Sequence, residues 1–154
     1  MRSHPLLLAA ALTLSACAPR LLPGTEITDS VDARAIASLL ETYRQAMERG
    51  DAQAVLDMAA PDYLDNSGTA DPTDDIDRAG LAKRLEELSK VSGLQLQLTI
   101  RRIAVEGAKA HADVFFDQWY KVATAGGTVP RHDSDVHQML LEKMAGAWKF
   151  KSGL

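Results

Sequence analysis

The sequence predicts one α+β domain in which helices precede antiparallel strands. Up to Lys90 the apolar residues recur at helical spacing, whereas from Leu94 onward they alternate with polar residues. Short stretches rich in Gly, Asp, Pro and Ser separate these segments, and no long linker divides them. With 154 residues, 46% of them hydrophobic and 25% charged, the chain has the size and composition of one globular unit with a buried core.

Three helices are predicted, over about 31–49, 51–59 and 77–90, with a loop over 62–75. The first has an apolar face at Ile36, Leu39, Leu40, Tyr43 and Met47. Residues that can cap a helix precede each one, and a helix breaker follows each of the first two. The caps are Asp29 or Ser30, Asp51 and Asp77, and the breakers are Gly50 and Pro61.

Four strands are predicted to follow. The first breaks its alternation at Arg101 and Arg102, as a β-bulge does, and bulges bend long strands. The stretch 123–135 contains Gly126, Gly127 and Pro130 and is predicted to be a loop. The strands are expected over 94–105, 108–122, 136–143 and 148–152, with tight turns at 106–107 and 145–146.

Three short patterns accompany this order of elements: Gly50-Asp51, Pro61-Asp62-Tyr63 and Gly146-Ala147-Trp148-Lys149. With them, residues 29–154 resemble the nuclear transport factor 2-like superfamily, which includes ketosteroid isomerases and SnoaL-like polyketide cyclases. The resemblance implies a cone-shaped α+β barrel, in which a strongly curved antiparallel sheet wraps three N-terminal helices around a cavity. The superfamily contains enzymes, ligand binders and adaptors, so the resemblance implies no single activity.

The first residues have the pattern of a secretory signal: a basic start, a short apolar run over 6–14 and then small residues. The run is shorter than the roughly 20 residues of a membrane-spanning helix. Leu14-Ser15-Ala16-Cys17 resembles the lipobox of bacterial lipoproteins. The resemblance implies that residues 1–16 are removed and that Cys17 is lipidated, which anchors the chain stably in a membrane. The alternative is an ordinary signal peptide followed by an incidental cysteine.

Residues 17–28 are predicted to be the lipidated cysteine and a tether, because they contain two prolines and a glycine without periodicity. Ala18 follows the cysteine where an aspartate would retain a Gram-negative lipoprotein in the inner membrane. By that resemblance we expect the periplasmic face of the outer membrane. Cys17 is the one cysteine, so no intrachain disulfide competes for it. The net charge is −4 without a basic patch among aromatics, which argues against nucleic-acid binding.

The resemblance to ketosteroid isomerases implies an alternative function in proton transfer. Asp65 matches the position of the base, Tyr43 that of a hydrogen-bond donor, and Gln138 that of a second acid. An amide at that last position is a departure from the family, because it donates a weaker hydrogen bond to an oxyanion. Tyr43 as a core residue and Asp65 as a turn residue explain the same positions without catalysis. We therefore expect binding in preference to catalysis.

The expected ligand is small and apolar, or the partner is a protein. A few polar groups are expected to line an otherwise apolar cavity. They are Tyr43, Tyr63, Gln118, Tyr120 and Gln138.

A metal site was considered at Asp133, Asp135 and His137, with His132 nearby, since these would share a face of an early-starting strand. The favoured alternative places Val136, Gln138 and Leu140 inward and His137 outward, so neither a metal nor another cofactor is expected. His111, Asp113 and Asp117 oppose the predicted core face of their strand.

Two aromatic residues, Phe115 and Trp119, also lie opposite the predicted core face. Large aromatic side chains on an outer sheet surface indicate an interaction surface. A homodimer through this face is one prediction, and an adaptor that binds another protein there is a third candidate function. The alternative is that a loop or the last residues cover both side chains.

Overall fold

A computed structural model describes residues 20–154, apart from the side chain of Ser89. The predicted signal over 1–16 and the lipidation of Cys17 lie outside the described residues. The three helices are α1 Val31–Glu48, α2 Ala52–Met58 and α3 Arg78–Glu86, and a 3-10 turn follows α3. None of the described helices is long and apolar enough to cross a membrane.

Each helix starts at a predicted capping residue. Ser30 Oγ accepts from the backbone N–H of Ala33 at 3.0 Å. The carboxylates of Asp51 and Asp77 do the same for their helices, at 3.0 Å and 2.7 Å. These bonds satisfy backbone donors that have no partner within the first helical turn.

Two short strands, β1 Leu64–Asp65 and β2 Ile76–Asp77, pair with each other, the first within the predicted loop and the second directly after it. The main sheet is an antiparallel meander of four strands in the order β3-β4-β5-β6. Its strands are β3 Val91–Glu106, β4 Lys109–Thr124, β5 Gly127–Met144 and β6 Ala147–Ser152. The predicted bulge is confirmed as a shift of register between Ile100 and Arg102.

The predicted loop over 123–135 is wrong, because β4 and β5 form one long hairpin paired from Lys109↔Glu142 to Thr124↔Gly127. Ala125 and Gly126 make the tight turn. Pro130 is tolerated because β6 pairs only with the part of β5 from Leu140 onward. Near Pro130, β5 is therefore an edge strand that needs no N–H on its free side.

The pairing of β5 also corrects the predicted orientation of its side chains. His137 lies opposite Val114, and Met139 opposite Ala112, so both share the inner face of β4. Met139 is fully buried, whereas Val136 and Leu140 are 46% and 45% exposed. Val136, Gln138 and Leu140 therefore face outward, and His137 faces inward.

The core lies between α1 and the concave face of the sheet. Tyr43 packs in edge-to-face geometry on Phe116 and Phe150, with ring centroids 6.3 Å and 5.9 Å away. Residues from every main element complete this core, including Ile36, Leu40, Val55, Leu81, Val114, Met139, Leu141 and Phe150.

The predicted tether is folded onto the domain from Arg20 onward. Leu21 pairs with Thr28, and Leu22 and Ile27 are 8% and 5% exposed. The latter two form a second apolar cluster with Ala33 of α1. Two apolar residues on either side of a turn thus pack against the first helix. In the sequence, only positions 18 and 19 separate Cys17 from this folded segment.

Candidate functional site

A pocket of about 270 Å³ opens between α1, α3 and the concave face, at the end of the sheet that carries the β4–β5 hairpin. Tyr43, Met47 and Phe116 form an apolar floor. Polar side chains form the rim: Arg84, Gln118, Asp133, Asp135 and His137. A concave apolar site with a few polar groups is the usual form of a small-molecule site.

The side chain of Tyr43 is buried, with 5% of the residue exposed, yet it borders this pocket. Among the described side chains, its hydroxyl makes no hydrogen bond. Burial, with a smaller effect of the neighbouring Tyr63, raises the pKa of Tyr43 above its ordinary value. The hydroxyl therefore stays protonated and can donate a hydrogen bond to a group inside the pocket.

The rim carries groups of both charges. Tyr120 donates to Asp133 Oδ2 at 2.6 Å, which raises the pKa of Tyr120. Asp135 Oδ2 lies 3.9 Å from His137 Nε2, and the His137 ring packs on Phe116 with centroids 4.5 Å apart. Within residues 20–154, no three His, Cys, Asp or Glu side chains are placed to hold a metal ion together.

Tyr63 and Asp65 lie behind this pocket, where they bind the two residues after β6. The Tyr63 hydroxyl accepts from the N–H of Leu154 at 3.0 Å, and Asp65 Oδ2 accepts from the N–H of Gly153 at 3.1 Å. Asp65 also accepts from Ser67 N–H at 2.9 Å, as a turn residue does. Burial is the main cause that raises the pKa of Tyr63 to about 12.

The structure places the sequence-predicted residues in three groups. Tyr43 and Gln118 line the pocket, and Tyr120 reaches its rim through Asp133. Tyr63 lies behind it, and Asp65 borders a separate pocket of about 390 Å³. Tyr43 and Asp65 therefore do not open onto one common pocket in this conformation.

Gln138 lies on the outer face of the sheet, where its amide donates to Asp113 Oδ1 at 3.1 Å. Gln138 does not line the Tyr43 pocket, because the phase of β5 is the opposite of the predicted one, but it lines the pocket of about 390 Å³ beside Asp65. The same phase turns Asp133, Asp135 and His137 toward the Tyr43 pocket, whereas the predicted phase turns them outward. Their alternation continues directly into the buried Met139 and Leu141, and that continuity was the available signal.

A larger groove of about 410 Å³ runs between α1 and the β5–β6 hairpin. Its carboxylate, Asp32, already accepts from Lys143 Nζ at 2.7 Å and from Trp148 Nε1 at 3.0 Å. Thr42 donates to the Ser38 carbonyl within the same helix. The charged groups of the groove are thus paired with each other, which makes the Tyr43 pocket the better candidate site.

Phe115 and Trp119 lie on the outer face of the sheet. Trp119 is 41% exposed and stacks on His132, with centroids 4.6 Å apart. Arg101 lies 5.0 Å above the Phe115 ring. The described residues leave Trp119 partly open to solvent, together with Val136.

No known family profile and no curated protein sequence matches the chain. Solved structures do. A ketosteroid isomerase-like protein from Erwinia carotovora atroseptica superposes with a TM-score of 0.64 at 18% identity, over 80% of this chain and 94% of that one. A candidate scytalone dehydratase from Novosphingobium aromaticivorans gives 0.63 at 18% identity, over 79% and 80% of the two chains. A protein of unknown function from Mycobacterium tuberculosis gives 0.59 at 18% identity, over 79% and 73%.

At 18% sequence identity, the similarity to these structures shows the fold alone. The element order, three helices followed by a four-stranded antiparallel sheet, agrees with it. The described chain therefore has the cone-shaped α+β fold of nuclear transport factor 2-like proteins, as the sequence predicts.

Proposed function

We propose that this chain is an envelope lipoprotein whose cone domain binds a small, largely apolar ligand beside Tyr43. The observation that carries the proposal is the Tyr43 hydroxyl, which borders a pocket, stays protonated and has no hydrogen-bond partner among the described side chains. A ligand acceptor in the pocket can take the hydrogen bond that no described side chain takes.

The pocket limits the ligand. Its volume of about 270 Å³ lies near the lower end of the range for small-molecule sites. The floor of Met47 and Phe116 favours an apolar ring or chain. The ligand therefore has an apolar body and a carbonyl or hydroxyl oxygen that accepts from Tyr43.

Native mass spectrometry of the exported Cys17→Ser protein, purified from cells, tests this proposal. We expect a bound molecule that Tyr43→Phe weakens by up to about tenfold, the effect of losing one hydrogen bond. Trp119→Phe on the outer face is the matched control and leaves the bound fraction unchanged. A protein that emerges empty and binds no apolar probe at this pocket contradicts the proposal.

A second candidate is proton transfer in the same pocket, because His137 faces inward beside Asp135. His137 would take a proton from the carbon next to a carbonyl and return it farther along the carbon chain, while Tyr43 donates to the enolate oxygen. This assignment replaces the predicted pair of Tyr43 and Asp65. The test of this activity is the isomerisation of a β,γ-unsaturated cyclic ketone to its conjugated form. His137→Gln should abolish the isomerisation. No rate above solvent with the wild type excludes this candidate.

The proposed anchor is Cys17, at the periplasmic face of the outer membrane. The lipobox-like Leu14-Ser15-Ala16-Cys17 supports it. Fatty-acid labelling and fractionation test the anchor independently of the pocket: Cys17→Ser should lose the label and leave the membrane fraction. Persistent labelling of the variant contradicts the assignment.

A further inference from the structure

Gly153 and Leu154 cross the space between the two pockets that border His137. Gly153 lines the pocket of about 390 Å³, Leu154 lines that of about 270 Å³, and His137 lines both. The side chain of Leu154 packs against the edge of the core. These two residues, the strap, thus lie where the two pockets would otherwise meet.

The strap is held by few bonds. Gly153 N–H donates to Asp65, Leu154 N–H donates to the Tyr63 hydroxyl, and the Leu154 carbonyl lies 3.4 Å from that hydroxyl. The strap thus presents two donors and an acceptor to two side chains. The Tyr63 hydroxyl also lies 3.4 Å from Asp65 Oδ2, to which it can donate. A single ligand N–H that donates to either side chain can therefore replace the strap without leaving Tyr63 or Asp65 unpartnered.

Only glycine fits at the first strap position. Gly153 has φ +91°, and a Cβ there would lie 2.6 Å from the Gln138 carbonyl oxygen and 2.9 Å from Met139 Cα. Both are backbone atoms of β5, which cannot move aside as a side-chain tip can. The position of the strap therefore depends on Gly153.

We propose that the strap is a displaceable plug that divides one longer ligand site, and that a secondary amide or amine with an apolar body binds to Tyr63 and Asp65 in its place. The proposal rests on the proposed ligand-binding function and extends it, since displacement joins the Tyr43 pocket to the Asp65 pocket. The bound molecule then spans both sides of His137.

Gly153→Ala in the full domain tests the plug, with Gly107→Ala as the matched control. Gly107 also has a positive φ, of +63°, but a Cβ there meets nothing within 4 Å. Both variants place a Cβ at a positive φ, whereas only Gly153→Ala clashes with β5. We expect faster hydrogen exchange of the backbone amides over 148–154 in Gly153→Ala and unchanged exchange there in Gly107→Ala.

The binding probe is anilinonaphthalene sulfonate, which has apolar rings and a secondary amine. Displacing the strap should tighten binding of the probe at least about fivefold in Gly153→Ala. The reason is that the strap occupies the site in a smaller fraction of the molecules. Adding Tyr63→Phe should reverse most of that gain. If Gly153→Ala does not fold, Leu154→Ala removes only the packing of the strap and should tighten binding in the same direction.

The outcomes separate the two proposals. Probe binding that Tyr43→Phe weakens, but that neither strap variant tightens, overturns the plug and leaves the Tyr43 pocket standing. A gain that Tyr63→Phe does not reverse also overturns the plug as a site for the amide or amine. Absence of binding in the wild type and in both strap variants overturns the plug and the pocket together.

Discussion

The three tyrosines of the chain have raised pKa values for different physical reasons. Burial dominates for Tyr43 and Tyr63, whereas the hydrogen bond to Asp133 dominates for Tyr120. Each hydroxyl is thus held in its protonated, donating form. At the scale of single residues, the pocket region thus offers hydroxyl groups that stay protonated at neutral pH.

These shifts predict a loss of stability in alkali. A folded pKa above the ordinary value of 10 means that the unfolded chain releases its protons first. The stabilising contribution is therefore complete below pH 10 and is lost as the pH rises through about 12, the value for Tyr63. Ultraviolet absorbance of the phenolates should show later titration in the folded protein than in urea. Coincident titration curves, with circular dichroism still native, would contradict the shifts.

At the scale of elements, the helix caps are bonds whose loss affects one helix at a time. Ser30→Ala removes the acceptor for the Ala33 N–H and should lower the free energy of unfolding by about 1 kcal/mol. Ser30→Asp should restore most of it. Ser38→Ala, on the exposed side of the same helix, is the control and should be neutral or slightly stabilising. Urea denaturation measures the free energy of unfolding of all three variants. Equal losses in Ser30→Ala and Ser38→Ala would argue against the cap.

The elements that the sequence predicts well are those determined by local chemistry. The three helices, the bulge at Arg101 and the turn at Gly146 follow from caps, periodicity and turn residues close in the chain. The start and phase of β5 depend on pairing with β4, so Gly126 and Pro130 indicate a loop when they are considered alone. The folded segment over 20–28 likewise depends on contacts with α1.

The residues of the candidate site also divide into those that local patterns predict and those that depend on tertiary packing. Tyr43 and Gln118 were predicted because the phases of α1 and β4 were correct. Asp135 and His137 are predicted on the wrong face, because the phase of β5 depends on its pairing with β4. Arg84 belongs to the charged side of α3, and nothing in the local pattern distinguishes it from a solvated residue. The pocket rim is thus a product of tertiary packing.

At the scale of the whole molecule, the outer sheet face carries large side chains that are partly exposed. Trp119 and Val136 are 41% and 46% exposed, with Phe115 beside them. We expect a homodimer through this face, because an isologous pair would cover these side chains in both copies. Analytical ultracentrifugation of the Cys17→Ser domain should show a dimer, and Trp119→Lys should give a monomer with an unchanged melting temperature. Val129→Lys near the hairpin tip is the control, and a wild-type monomer excludes the dimer.

The first described residues and the Tyr43 pocket lie at different positions along α1. Arg20 is held beside the start of α1, where its carbonyl accepts from Asp29 N–H. Three peptide units separate Arg20 from Cys17 in the sequence. Tyr43 lies about 18 Å farther along α1 than Val31, from the rise of 1.5 Å per residue. If Cys17 carries the anchor, the start of α1 faces the bilayer and the pocket opens away from it.

This orientation predicts which residues contact lipid. Leu21 and Val31 are 45% and 74% exposed at the anchor end, and Val129 is 38% exposed at the other. Coupling Cys17 of the purified domain to a maleimide phospholipid in vesicles supplies the anchor independently of processing in the cell. A photoreactive residue at Val31 should then crosslink to lipid, and one at Val129 should not. Equal crosslinking from both positions would mean that the domain turns freely, and the pocket would then have no fixed direction relative to the membrane.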